Sequence, residues 1–173
     1  MGKAYALVMA QWPSANSNHQ ARQTPASKGR HMNSSGTAPR GNYDIHHPAV
    51  RTFHDCRADF LAGRDTPREY LERCLATIDE HEGRVRAWVC LNTEGAREAA
   101  NAATQRYRSG MPLSAIDGMP VGIKDVLQTH DMPTTLGSPI FAGRQTGMDS
   151  ASVNALRLAG AAVVGKTVTT EFA

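Results

Sequence analysis

The segment AIDGMPVGIKDVL, residues 115–127, decides how this chain is interpreted, because it places a lysine inside an apolar run that is typical of a β-strand. Val121 and Ile123 precede Lys124 and give it few polar neighbours. Burial disfavours the charged ammonium, so a lysine in such a run pairs with an acid, reaches solvent or loses its proton more readily. A strand over about 119–124 therefore carries the best candidate in the sequence for a general base.

Helical and strand-like periodicities alternate on both sides of this strand. Apolar spacing predicts helices over about 50–62, 67–80, 93–108 and 150–158, and further strands over about 86–91 and 161–164. The run Thr66-Pro67-Arg68-Glu69 is typical of a helix start, with a capping hydroxyl and a proline at the first helical position. Leading helices, then strands that alternate with helices, predict an α/β fold in which helices cover a sheet.

Three sequence blocks carry a resemblance to a known family. They are IDGMPVGIKDV at 116–126, MPTTLGSPIFAG at 132–143 and DSASVNALRLAGAAVVGKTVTTEFA at 149–173. With these blocks in this order, the chain from about residue 50 onward resembles the N-terminal part of an amidase signature family hydrolase. The resemblance implies a truncated amidase signature fold, with N-terminal helices followed by part of a mixed central sheet flanked by helices.

The same resemblance implies a chemistry and assigns residues to it. Such enzymes cleave carboxamide C–N bonds with a Ser, a second Ser joined by a cis peptide bond, and a Lys, and the matching lysine here is Lys124. Thr135, Gly137 and Ser138 are the matching candidates for the wall of the substrate site. For these three the alternative is a turn in which Gly137 supplies backbone freedom. For Lys124 the alternative is an ordinary strand lysine that reaches solvent or pairs with Asp125, and the three blocks together favour the base.

The two serines of this chemistry are missing from the sequence. In such enzymes a Gly/Ser-rich segment carries both serines and the oxyanion-hole loop, and no such segment occurs in these 173 residues. Ser138 lacks a G-x-S-x-G context, and Ser150 and Ser152 resemble helix-start residues. We therefore expect an amidase fragment that is inactive alone, whose small-molecule amide substrate belongs to the complete enzyme. The alternative is a noncatalytic remnant or assembly subunit.

A phosphate-loop pattern and a histidine cluster both lack the context that their functions need. GAAVVGKT at 160–167 matches G-x-x-x-x-G-K-[ST], but a phosphate loop follows a strand and opens a helix. Here a helix precedes the pattern and a strand lies inside it, with Lys166 at the strand's rim. His46, His47 and His54 have no cysteine or acid at ligand spacing. We expect neither a metal nor any other cofactor.

The charge distribution separates a tail from the rest of the chain. Residues 1–43 contain basic residues and no acid, although the whole chain has a formal charge of +3. Residues 44–173 carry about −2, so no nucleic-acid partner is implied for the folded part. We expect a disordered basic tail over 1–45 and a partial amidase signature domain over 46–173. A targeting segment is the alternative for the tail, and Met32 is an alternative start.

Cysteine usage and hydropathy bear on location and partners. Three widely spaced cysteines, without a pairing pattern, predict a reducing, cytoplasmic setting. No apolar run approaches the roughly 18 residues that span a bilayer, so no membrane partner is expected. A truncated sheet would leave strand edges open, which favours homo-oligomers or aggregation.

Overall fold

The computed structural model describes residues 52–173, so the predicted tail over 1–45, the start at Met32 and two of the three clustered histidines lie outside the described residues. The described part alternates helices with short strands, as the sequence predicts. The elements are, in chain order, α1 (Phe53–Leu61), α2 (Pro67–Val85), β1 (Trp88–Leu91), α3 (Thr93–Arg108), β2 (Pro120–Lys124), a short 3-10 helix (Pro139–Phe141), α4 (Ala151–Leu158) and β3 (Ala162–Thr167).

Helix α2 begins where its capping sequence predicts. The Thr66 side chain accepts a hydrogen bond from the Glu69 backbone N–H at 3.1 Å, and Pro67 occupies the first turn. The helix continues to Val85, beyond the predicted end near residue 80. The Glu82 carboxylate explains this extension, because it accepts hydrogen bonds from the backbone N–H groups that follow the helix, including that of Trp88 at 2.9 Å. The end of α2 is thereby attached to β1.

The three strands form one mixed sheet in the order β1-β3-β2. β3 lies in the centre, antiparallel to β1 and parallel to β2. This arrangement confirms the α/β fold class and the mixed sheet that the family resemblance implies. Because β2 and β3 are parallel, their carboxyl ends, at Lys124 and Thr167, meet at the same edge of the sheet.

Helices cover β3 on both faces. Val164 packs on one face in a cluster that also contains Leu71 and Ile78 of α2 and two alanines of α3, Ala96 and Ala100. These alanines are fully buried, and their small side chains let α3 approach the sheet closely. On the opposite face, neighbouring side chains of the sheet pack with α4 in a second cluster, formed by Ile123, Met132, Val153 and Val163.

The turns that lead into β2 and β3 meet at Asp117. This buried carboxylate accepts hydrogen bonds from Arg106 of α3, at 2.6 and 2.9 Å, and from the Leu113 backbone N–H at 2.9 Å. The adjacent Gly118 N–H donates to the Gly160 carbonyl at 2.9 Å. Gly160 has φ +93°, and a Cβ there would lie 2.2 Å from an Asp117 oxygen. The contact therefore requires glycine and aligns the starts of the two parallel strands.

We predict that Gly160→Ala destabilises the chain by at least about 3 kcal/mol, because a left-handed backbone costs about 1–2 kcal/mol and overpacking adds to it. Gly143→Ala is the matched control, since Gly143 also has positive φ but nothing within 4 Å of an added Cβ. The free energy of unfolding from urea titration measures both. If the two variants lost the same free energy of unfolding, the contact between Gly160 and Asp117 would not be the reason for the effect.

Candidate active site

Lys124 is the last residue of β2, and its side chain is exposed. The expectation that the apolar run buries Lys124 is therefore wrong. The alternation of the strand explains the difference: Ile123 points into the core and is 3% exposed, so the next side chain leaves on the opposite side. Within residues 52–173, no ion pair or hydrogen bond holds the Lys124 ammonium.

The buried lysine of this region is Lys166 in β3. Its side chain is fully buried, and Nζ lies 2.9 Å from Oδ1 of Asp125, which is also fully buried. Nζ also donates to Thr134 Oγ1 at 2.8 Å and to the Pro133 carbonyl at 3.1 Å. The expectation that Lys166 lies at the rim of its strand is wrong, because helices and loops cover both faces of β3. Of the two alternatives for Lys124, the structure shows the one in which its side chain reaches solvent, and Asp125 pairs with Lys166 instead.

The same carboxylate holds the segment that contains the predicted wall residues. Oδ2 of Asp125 accepts hydrogen bonds from the Thr135 backbone N–H, at 3.1 Å, and from the Thr135 hydroxyl. The Asp125 carbonyl accepts from the Leu136 N–H at 3.0 Å, and the Asp125 N–H donates to the Thr167 carbonyl at 3.0 Å. One residue after Lys124 thus joins the end of β2 to β3 and to the loop 133–138.

Gly137 and Ser138 both have structural roles in that loop. Gly137 has φ +67°, and a Cβ there would lie 2.9 Å from the carbonyl oxygens of Thr169 and Thr170. Ser138 is buried and donates through its hydroxyl to Glu171 Oε1 at 2.8 Å. Its Oγ also accepts a bond from the Ile140 N–H at the start of the 3-10 helix. A hydroxyl in this position serves as a helix cap.

A shallow depression of about 360 Å³ lies beside this loop, next to β1 and the residues that follow the carboxyl end of β3. Small apolar side chains and hydroxyl groups form its walls. The lining residues are Val89, Thr135, Gly137, Ser138, Pro139, Ala142, Val168 and Thr169. The structure therefore brings the three predicted wall residues together around one depression, and the turn geometry of Gly137 and its place in the wall are compatible. Lys124 is not among the lining residues.

A second group of charges lies on the α4 side of the sheet. Arg157 forms ion pairs with Asp131 at 2.7 Å and with Asp149 at 3.1 Å, and Asn92 donates to Asp131 at 2.8 Å. Asp149 also accepts from the backbone N–H of His130 at 2.9 Å. His130, Asp131 and Asp149 are spaced closely enough to hold a metal ion, but the Arg157 guanidinium already pairs with both carboxylates. The arrangement connects the loop after β2 to α4.

The environment of Asp149 affects its titration. Burial alone would raise the pKa of this carboxyl, but the hydrogen bonds from His130 and the nearby Arg157 charge outweigh it, so the pKa lies below its ordinary value. His54, the described member of the predicted histidine group, is exposed.

All three cysteines of the chain lie among the described residues. Cys56, Cys74 and Cys90 are all thiols, and burial raises the pKa of the Cys74 thiol. The thiolate of a buried cysteine is disfavoured, so such a residue acts as a small apolar side chain. Among residues 52–173, the helices are too short or too polar to cross a bilayer.

Comparison with known proteins decides the family. The family model described as Amidase matches residues 69–173, which is more than half of the chain. This chain belongs to the amidase family. The matched range includes α2 from its third residue, the whole sheet, Lys124 and the loop 133–138, and leaves out α1.

Curated relatives of this amidase-family chain include subunits of one amidotransferase. The chain is 41% identical over 130 residues to a glutamyl-tRNA(Gln) amidotransferase subunit of Chloroflexus aggregans, covering 75% of this chain and 26% of the relative. The corresponding subunit of Salinispora arenicola is 42% identical over 111 residues, covering 64% and 23%. The chain thus spans about a quarter of the length of the curated relatives it matches.

Solved amidase structures share the fold. The peptide amidase from Stenotrophomonas maltophilia aligns with a TM-score of 0.67 and 29% identity, over 72% of this chain and 26% of its own. A structure described as a vestigial protein complex that reveals the origins of an s-triazine catabolic enzyme aligns with a TM-score of 0.63 and 31% identity, over 67% and 26%. These similarities confirm that the chain is part of an amidase signature fold.

We predict that Lys166→Met lowers the free energy of unfolding by about 3–5 kcal/mol, because it leaves Asp125 buried without its cation. The double variant Asp125→Asn/Lys166→Met removes both charges and should recover most of that loss. Urea titrations of the full 173-residue chain measure the three proteins. A single variant as stable as the parent would contradict the buried ion pair.

We also predict a pH dependence that originates at Asp149. Its pKa is lower in the folded chain than in the unfolded chain, so its contribution to stability is present above about pH 4 and is lost as pH falls through the folded value. Asp149→Asn should therefore lose less free energy of unfolding than the parent between pH 5 and 2, as urea titrations at each pH would measure. The control Glu80→Gln, at an exposed site, should show the same dependence of unfolding free energy on pH as the parent. If Asp149→Asn also showed the parent's dependence, Asp149 would not be its origin.

Proposed function

We propose that this chain forms the N-terminal part of an amidase that hydrolyses carboxamide C–N bonds, with Lys124 as the general base of a Ser-cis-Ser-Lys site. The observation that carries the proposal is the position of Lys124: it ends β2 at the sheet edge where the parallel strands β2 and β3 both finish. Ligands of α/β folds bind outside the carboxyl ends of such strands. The depression lined by Thr135, Gly137 and Ser138 lies at the same edge.

The chemistry follows from a lysine that is neutral when the substrate is bound. Such a lysine takes a proton, through one serine hydroxyl, from a second serine whose oxygen attacks the amide carbonyl. Collapse of the tetrahedral intermediate breaks the C–N bond, and the same proton leaves with ammonia or the amine. Water then hydrolyses the acyl-enzyme: the lysine takes a proton from the water and returns one to the serine oxygen as the acid is released. Backbone N–H groups would stabilise the oxyanion by several kcal/mol.

Several parts of this site must come from outside these 173 residues. A Gly/Ser-rich segment is absent from the sequence; Ser138 caps the 3-10 helix, and Ser150 precedes the first residue of α4. The exposed Lys124 side chain also needs further protein around it before its ammonium is desolvated. We therefore propose that the 173 residues alone do not hydrolyse amides and that activity needs the remaining amidase fold.

Two features of the chain favour a hydrolase over a noncatalytic assembly subunit: the lysine at the end of β2 and the loop bonded to the next residue. An assembly role would leave no reason to retain a lysine at the end of β2 together with a loop tied to the next residue. The relatives named as amidotransferase subunits make contact with other subunits a reasonable further property of the complete protein. We propose a small-molecule or peptide carboxamide as the substrate, without a cofactor, and a cytoplasmic location.

A chimera tests the base role. The full 173-residue chain would replace the matching N-terminal quarter of the Stenotrophomonas maltophilia peptide amidase, and ammonia release from an amidated peptide would be measured. We expect Lys124→Met to lower kcat/KM at least 100-fold, because general-base catalysis typically contributes 10²–10⁴. Lys124→Arg should lose as much, since a guanidinium does not deprotonate.

Arg84→Met, which removes an exposed cation at the end of α2, is the control and should stay within twofold of the parent chimera. Hydrolysis that survives Lys124→Met with less than a tenfold loss would exclude the base role. A chimera that unfolds cooperatively but releases no ammonia would contradict the proposal that this chain retains a working part of the site.

A further inference from the structure

The buried pair of Lys166 and Asp125 has no role in the proposed proton transfers. Both side chains are surrounded by protein and shielded from water, at 0% exposure each. Burying two charges is costly, and an apolar pair of similar volume is often as stable or more so. Stability alone is therefore a weak reason for this pair, and its position next to Lys124 suggests another.

Every polar group of Asp125 is engaged. Its N–H donates to Thr167, its carbonyl accepts from Leu136, one carboxylate oxygen faces Lys166, and the other accepts two hydrogen bonds from Thr135. These contacts come from β3 and from the loop 133–138, so they restrain Asp125 from two directions. Rotation of the peptide that joins Asp125 to the preceding residue would break several of them together.

We propose that Asp125 and Lys166 are positioning residues for Lys124: the buried pair fixes the backbone at the end of β2 and so directs the Lys124 side chain toward the open edge of the sheet. This inference rests on the base role proposed above. The Lys124 carbonyl also accepts from the Leu127 N–H at 2.9 Å, which holds the turn on the other side.

The pair also separates the two lysines by function. Lys166 neutralises the carboxylate that follows Lys124 in sequence, so this carboxylate does not hold the Lys124 ammonium. The Lys166 ammonium itself is held by the carboxylate, a hydroxyl and a carbonyl. Of these two lysines, the one at the open edge is left available to exchange a proton with a substrate-side hydroxyl.

Amide hydrogen exchange on the full 173-residue chain tests the positioning itself. In Asp125→Asn/Lys166→Met, which leaves no lone buried charge, we expect the amides of Leu127 and Leu136 to exchange at least tenfold faster, relative to amides of α3. The matched control, Asp117→Asn/Arg106→Met, removes a partly buried ion pair at the opposite end of β2. It should accelerate the Gly118 amide and leave the other two within threefold.

Kinetics of the active chimera test the consequence. We expect Asp125→Asn/Lys166→Met to lower kcat at least tenfold with KM within threefold, whereas the Asp117/Arg106 control keeps kcat within threefold at a comparable loss of Tm. Thr135→Val should give a smaller loss of kcat, which Thr135→Ser, with its hydroxyl retained, should reverse. If the double variant does not fold, the Thr135 pair decides: an equal kcat for Thr135→Val and Thr135→Ser would overturn the positioning role.

The outcomes separate this inference from the proposed function. Unchanged exchange at Leu127 and Leu136, or a kcat that stays within threefold while Lys124→Met is inactive, would overturn the positioning role alone. A loss of kcat equal to that of the Asp117/Arg106 control at equal Tm would also overturn it, because it would indicate general destabilisation. Activity that survives Lys124→Met would instead remove the proposed function.

Discussion

The carboxyl end of the sheet depends on one buried ionic contact, between the Lys166 ammonium and the Asp125 carboxylate. β3 supplies the cation from the centre of the sheet, and the residue after β2 supplies the anion. The loop 133–138 closes over both, through Thr134 on one side and Thr135 on the other. Without this contact, the end of β2 and the Thr135 end of the loop would share one anchor fewer, since both are bonded to Asp125.

Local sequence signals predicted the elements well but not which lysine is buried. Helix α3 has the predicted bounds, since the alanine spacing and the glycine after it are local signals. Lys124 and Lys166 both follow apolar runs, and the criterion that singled out the first applies equally to the second. Which one is buried depends on the strand order, with β3 in the centre, and that order is set by contacts far apart in sequence.

The candidate site was predictable to a similar extent. The family resemblance brought Thr135, Gly137 and Ser138 forward, and the structure groups them around one depression. Their support was not predictable, because a hydrogen bond to Asp125 or Glu171 joins segments that only the fold brings together. The phosphate-loop pattern at 160–167 illustrates the same limit, since its letters match but its lysine lies in a buried strand.

Exposure of Lys124 is consistent with a base role only in a larger protein. The sheet described here has its centre covered on both faces, but β1 and β2 have no strand partner on their outer sides among residues 52–173. Val89, which lines the depression, and Leu91, in the same strand, are each 42% exposed. Relatives about three times as long have chain available to cover these surfaces and to desolvate the amine. The structure therefore fixes the direction of the Lys124 backbone, and the environment that would make its side chain a base must be supplied by other residues.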